Sequence, residues 1–169
     1  SFAQDMEPEY VTVSDDSKTA WVTLQENNAI AKINLHTKTV SAIFPLGFKN
    51  YNLSHNGVDV SDRDNAIALN THPVFGIYHP DAIAVYEKNG LPYLFTANEG
   101  DVREYDAFEE AGRISSLRLD PTRFPNAADL QLPGHLGRLN VTKTLGDPDG
   151  DGFYNELYSF GARSFSVWN

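Results

Sequence analysis

The run Asp147-Pro148-Asp149-Gly150-Asp151-Gly152-Phe153-Tyr154-Asn155 places side-chain oxygens at positions 1, 3, 5 and 9 of a loop, with glycine at position 6. Calcium takes about six to eight oxygen ligands, and this spacing wraps three carboxylates around one ion while the glycine permits a sharp turn. The carbonyl of Phe153 adds a fourth ligand and Asn155 a further one. An EF-hand would need a bidentate Glu at position 12, where this chain has Tyr158, and the segment that follows reads as strand rather than helix. The expectation is therefore a structural calcium loop between strands, binding on the order of 10⁻⁴ to 10⁻³ M as in extracellular modules. An acidic surface turn without an ion is the alternative.

A second cluster, Asn98-Glu99-Gly100-Asp101 with Arg103, Glu104, Tyr105 and Asp106, follows a predicted strand. Glu99 and Asp101 could hold a cation while Arg103 binds a phosphate or carboxylate bidentately, with Asp81 joining from the preceding strand. Equally, these charges could form an ion-pair network. Asp59-Val60-Ser61-Asp62-Arg63-Asp64-Asn65 also offers several oxygens but has no internal glycine, and Arg63 can neutralise it, so it reads as a solvated turn.

Other chemistries lack a motif. The five histidines, His36, His55, His72, His79 and His135, show no close zinc spacing, and there is no Gly-rich phosphate loop or nucleophile elbow. No residue stands out as a nucleophile. Without cysteine there are no disulfides and no thiolate metal sites. Acidic residues outnumber basic ones 23 to 13, a formal charge of -10, so nucleic acid and anionic lipid are disfavoured and cations are the natural partners. No apolar run approaches the ~20 residues of a membrane helix, so no direct membrane insertion is expected. The opening Ser1–Glu7 has neither the basic nor the apolar region of a signal peptide, and its lack of an initiating Met reads as a processed or excised start. Two sequons, Asn52-Leu53-Ser54 and Asn140-Val141-Thr142, are possible N-glycosylation sites in a secretory pathway.

The elements that must position these residues are short strands. Tyr10-Val11-Thr12-Val13 alternates apolar and polar residues, Asp15-Asp16-Ser17-Lys18 is turn chemistry, and Thr19–Leu24 is a second β-rich run. Ala29–Leu35, a polar turn at His36–Thr39 and Val40–Phe44 complete four strands, the unit of a propeller blade. The pattern recurs: Pro8–Val13 is echoed by Pro80–Val85, Trp21–Asn27 by Tyr93–Glu99, and Ile30–Leu35 by Ile114–Leu119, with an insertion from Gly100 to Gly112. The predicted organisation is a blade at 8–46, a long connection at 47–79 with at most a short strand at Asn65–Leu69, and a blade with an insertion at 80–120. A connection at 121–137 and the calcium loop with the start of a third blade at 138–169 follow. The fold class is all-β, a β-propeller of four-stranded antiparallel blades. Since propellers close with roughly four to eight blades, the remaining blades are the expected partner, as further residues or a separate chain.

The stretch from Pro8-Glu9-Tyr10-Val11 to Ala29-Ile30-Ala31 resembles a blade of the YVTN-type propellers. With Pro80-Asp81-Ala82-Ile83-Ala84, Thr96–Arg103, Gly146–Gly152 and Ser159–Ser166, nearly the whole chain resembles the choice-of-anchor I family. That family includes bacterial secreted or surface proteins, some alkaline phosphatase-like, and the mesenchyme-specific cell-surface glycoproteins of biomineralising animals. The resemblance implies an extracellular, cell-surface or periplasmic propeller that handles calcium, with matrix, surface or biomineral roles. The expected function is non-catalytic calcium binding. The alternative is a calcium-dependent phosphoesterase of alkaline phosphatase or phytase type, in which clustered acids hold metal ions that activate water.

Overall fold

The computed structural model describes residues 4–169; Ser1–Ala3 of the opening segment lie outside the described residues. The chain is all-β, with one short helix among the described residues. Strands β1 (Pro8–Val13), β2 (Thr19–Leu24), β3 (Ala29–Asn34) and β4 (Thr39–Pro45) form an antiparallel sheet in that order. Local chemistry fixes each reversal. Ser14 Oγ accepts from the amides of Lys18 and Thr19 at 3.2 and 2.9 Å, and Ser17, Asn28 and Lys38 supply the left-handed turn positions. Four short antiparallel strands joined by tight turns fit a propeller blade, as the sequence pattern predicts.

Next come β5 (Phe48–Asn50) and β6 (Phe75–Ile77), then the long hairpin of β7 (Pro80–Lys88) and β8 (Leu91–Asn98). Beyond it lie β9 (Glu104–Tyr105), β10 (Phe108–Glu109), β11 (Ala111–Arg113), α1 (Ala127–Leu130), β12 (Asn140–Thr142), β13 (Tyr158–Ser159) and β14 (Ser164–Trp168). The chain divides into two compact units. One comprises residues 1–48, 77–101 and 161–169; the other comprises 49–76 and 102–160.

In the first unit, β14 pairs with β8 and β8 with β7, giving a second sheet. It packs on the first through Trp21, Ile30, Ile83 and Leu94, all buried. Polar bonds also cross between the sheets: Thr23 Oγ1 donates to the Asp81 carbonyl at 3.0 Å, and the Val85 amide donates to Thr12 Oγ1 at 3.1 Å. The third strand is not the expected one. Ile114–Leu119 echoes β3 in sequence, but Ile114–Ser116 forms a 3₁₀ turn and the place beside β8 is taken by Ser164–Trp168. The reason is a buried polar match. Asn98, 2% exposed, donates through Nδ2 to Ser164 Oγ at 3.1 Å and Ser166 Oγ at 2.8 Å, while Trp168 Nε1 donates to Thr96 Oγ1 at 2.9 Å. Ile114–Leu119 offers no equivalent match to all three.

The second unit is therefore assembled from the long connection and from a far larger insertion than the expected Gly100 to Gly112. Its main sheet runs β11-β12-β13-β6-β5, with β13 parallel to β6. The segment expected to open a third blade is divided, β12 and β13 joining this sheet and β14 completing the other. Asn65–Leu69 is not a strand: Asp64 Oδ1 accepts from the Ala66 amide at 3.2 Å, Asn65 has φ 56°, and Ile67 is 94% exposed. Ile114, Leu136, Val141 and Leu157 form the fully buried centre, joined by Phe124 and Leu119. The 121–137 connection packs against it, and Gln131 Nε2 donates to the carbonyls of Ile114 and Leu117, both at 2.8 Å.

Candidate metal centre

Residues 147–155 form an exposed loop of the second unit between β12 and β13. The chain folds this way because the first aspartate organises the backbone. Asp147 Oδ1 accepts from the Gly150 amide at 2.9 Å and its Oδ2 from the Gly152 amide at 3.0 Å. Asp151 Oδ1 accepts from the Phe153 amide at 2.8 Å. Gly146 closes the loop, its carbonyl accepting from the amides of Asn155 and Glu156 at 2.7 and 3.2 Å. Gly146 must be glycine: its φ is +96°, and a Cβ there would meet the Glu156 carbonyl oxygen at 2.2 Å.

This backbone gathers Asp147, Asp149 and Asp151, with one carboxylate oxygen of each lying within 4.8 Å of the others. Oxygens sharing one calcium lie about 2.3–2.6 Å from it, and so at most about 5 Å apart. The three carboxylates meet that limit. No basic side chain forms an ion pair with them among the described residues. At the ninth position, Asn155 Oδ1 is buried without a hydrogen-bond partner, an acceptor left for water, a ligand hydroxyl or a cation. The donor set is all oxygen, which suits a hard cation.

The family model for the choice-of-anchor I domain matches residues 1–169. This chain belongs to the choice-of-anchor I domain family. No curated protein and no solved structure matches it. A choice-of-anchor I domain is a surface-associated module, cell-surface or extracellular. No helix among the described residues is long and apolar enough to cross a membrane.

The other candidates of this choice-of-anchor I chain fall differently. Asp81 sits at a β-bulge of β7, its side chain half-buried, and Asn98 is consumed by the bonds to Ser164, Ser166 and Thr96. Glu99 and Asp101 are exposed. Asp81, Asn98, Glu99 and Asp101 belong to the first unit and Arg103 to the second. There Arg103 faces Glu110 at 3.6 Å; Glu110 is 5% exposed and accepts from Thr142 Oγ1 at 2.6 Å. Among the described residues, no second group of three acidic or histidine side chains gathers its ligand atoms as the loop does.

In the Asp59–Asn65 turn the paired carboxylate is that of Asp62, held by Arg138 more than by Arg63. Arg138 binds Asp62 bidentately at 2.6 and 3.0 Å and holds its carboxyl below the usual range, whereas Arg63 lies at 3.8 Å. Both sequon asparagines, Asn52 and Asn140, are exposed.

The residue that composition and spacing miss is Glu26. Burial, followed by the carboxylates of Glu7 and Asp101, pushes its carboxyl up to about 7, and its Oε2 is buried without a hydrogen-bond partner. No local pattern in the sequence signals it, because the groups that shift it are remote in the chain.

Proposed function

We propose that this choice-of-anchor I domain is a non-catalytic, calcium-binding β-propeller segment of a secreted or cell-surface protein, acting in a matrix, surface or biomineral setting. The observation that carries this reading is the convergence of Asp147, Asp149 and Asp151 to within 4.8 Å on a glycine-shaped loop. In the proposed site these three carboxylates and the Phe153 carbonyl bind the ion, and Asn155 reaches it through water, as the ninth position of such loops often does. With the mutual repulsion of its three carboxylates screened by the ion, the loop then holds β12 and β13 in register.

The partner in this reading is the rest of a propeller. Support comes from the outer strands of the first sheet, where Tyr10, Val11, Val40, Ile43 and Phe44 are each about half exposed, an apolar surface that further blades would cover.

Thermal melts of the chain in EDTA, magnesium and calcium test the calcium reading. With a Kd near 10⁻³ M, 10 mM calcium stabilises by about 1.4 kcal/mol, or roughly 3–5 °C for a chain of this size. Equal melting temperatures in calcium and EDTA would refute it.

A further inference from the structure

The second unit holds a cavity of about 170 Å³ beside the end of the loop, whose lining includes Asn50, Asn52, Phe75, Arg123, Asn155 and Glu156. Three features define its chemistry. First, Asn155 Oδ1 is buried and lacks a hydrogen-bond partner, which costs free energy unless a donor arrives. Second, Arg123 is the cavity's cation and has no carboxylate within ion-pair distance among the described residues. A guanidinium outside any ion pair, in a chain of net charge -10, offers an anionic group a docking point at that end of the cavity. Third, the remaining polar lining is mostly amide. Each Asn side chain both donates and accepts, as a hydroxyl does.

Glu156 adds to this pattern. One of its oxygens accepts from Tyr158 Oη at 2.5 Å, leaving the other to accept from a ligand. A carboxylate in the lining disfavours a bare multivalent anion such as phosphate, whereas it suits a hydroxyl donor. Phe75, partly buried and stacked on Tyr158 with ring centroids 5.2 Å apart, gives the cavity an apolar wall. The volume lies below the roughly 300–1,000 Å³ of sites that take drug-sized molecules, so the occupant is a single ring.

We infer that this cavity binds one acidic sugar residue, its carboxylate or sulfate on Arg123 and its hydroxyls on Asn155, Glu156 and the Asn50–Asn52 amides. The site adjoins the metal loop and shares Asn155 with it; the two lone pairs of Asn155 Oδ1 serve the water that bridges to the ion and a sugar hydroxyl.

The test is a titration of the ¹⁵N-labelled 169-residue chain with methyl β-glucuronide, followed by NMR, in calcium and again in EDTA. Methyl β-glucoside and acetate serve as controls. The inference predicts saturable shifts at the cavity residues with the glucuronide, weaker binding of the glucoside and none of acetate. Arg123→Gln and Arg123→Ala are expected to lose about tenfold or more in glucuronide affinity, while calcium binding measured on the same variants by calorimetry is unchanged. Two variants guard against one that fails to fold, and their spectra report folding directly. No saturable shift with the wild-type chain in either condition overturns the inference, as does acetate binding as tightly as the glucuronide. So does full glucuronide affinity in a folded Arg123 variant. Loss of calcium binding in the wild-type chain would count against the metal reading instead and leave this one standing.

Discussion

The guanidinium of Arg118 lies over the ring of Phe153, 4.2 Å from its centroid. Phe153 is the residue whose carbonyl is the fourth ligand of the proposed calcium site, so this cation–π contact anchors the loop from outside its own sequence. Such contacts are worth about 0.5–1 kcal/mol at exposed sites. Arg118→Ala is therefore expected to destabilise the chain by about that amount in urea denaturation and to weaken calcium binding, with Arg118→Lys intermediate. An unchanged denaturation midpoint would show that the contact contributes nothing.

Gly146 makes a sharper prediction. A Cβ at φ +96° meets the Glu156 carbonyl oxygen at 2.2 Å, and the carbonyl of Gly146 itself closes the loop on Asn155 and Glu156. Gly146→Ala is expected to cost more than about 2 kcal/mol and to abolish calcium-dependent stabilisation. Gly150→Ala, where a Cβ meets nothing within 4 Å, is the milder comparison; equal effects from both would contradict the argument from the clash.

Asn98 shows how differently a residue reads in sequence and in space. Its position after a strand and before Glu99 and Asp101 suggests a ligand, yet its amide closes the second sheet by binding both serines of β14. Asn98→Ala leaves those hydroxyls and Thr96 without their buried partner, a loss of about 2–3 kcal/mol. Hydrogen exchange should become faster along Ser164–Trp168 while β1–β4 stays protected. Uniform loss of protection would place Asn98 in the global core instead.

The same contrast explains what was legible. Strands β1–β4 and the β7–β8 hairpin are joined by short turns, so alternation and turn chemistry locate them. The aspartate loop is legible for the same reason: its ligands are neighbours in sequence. The third strand of the second sheet was not, because Ile114–Leu119 and Ser164–Trp168 both look like strands and only the buried Asn98 and Thr96 contacts choose between them. The parallel pairing of Tyr158 with Phe75 joins segments remote in the chain, and no local pattern announces it. Glu26 was hidden likewise, since Glu7 and Asp101 reach it only in the folded chain.

Glu26 sets a pH dependence. Its folded-state carboxyl is raised from 4.5 to about 7, by burial first and then by Glu7 and Asp101. Between those values the folded state binds more protons than the unfolded state, so this group's contribution to stability falls as pH rises through the window and is fully lost above it. Glu26→Gln is expected to gain stability relative to wild type as pH increases from about 4.5 to about 7, read by urea denaturation across that range. A constant difference between the two proteins would contradict the assignment.

Calorimetric titration of calcium into the 169-residue chain, with Asp149→Ala and Asp151→Ala beside it, decides whether the aspartate loop binds the ion. Saturable binding at one site is expected, with a Kd on the order of 10⁻⁴ to 10⁻³ M, abolished by either substitution. Absence of binding, or binding indifferent to both substitutions, would contradict the calcium reading.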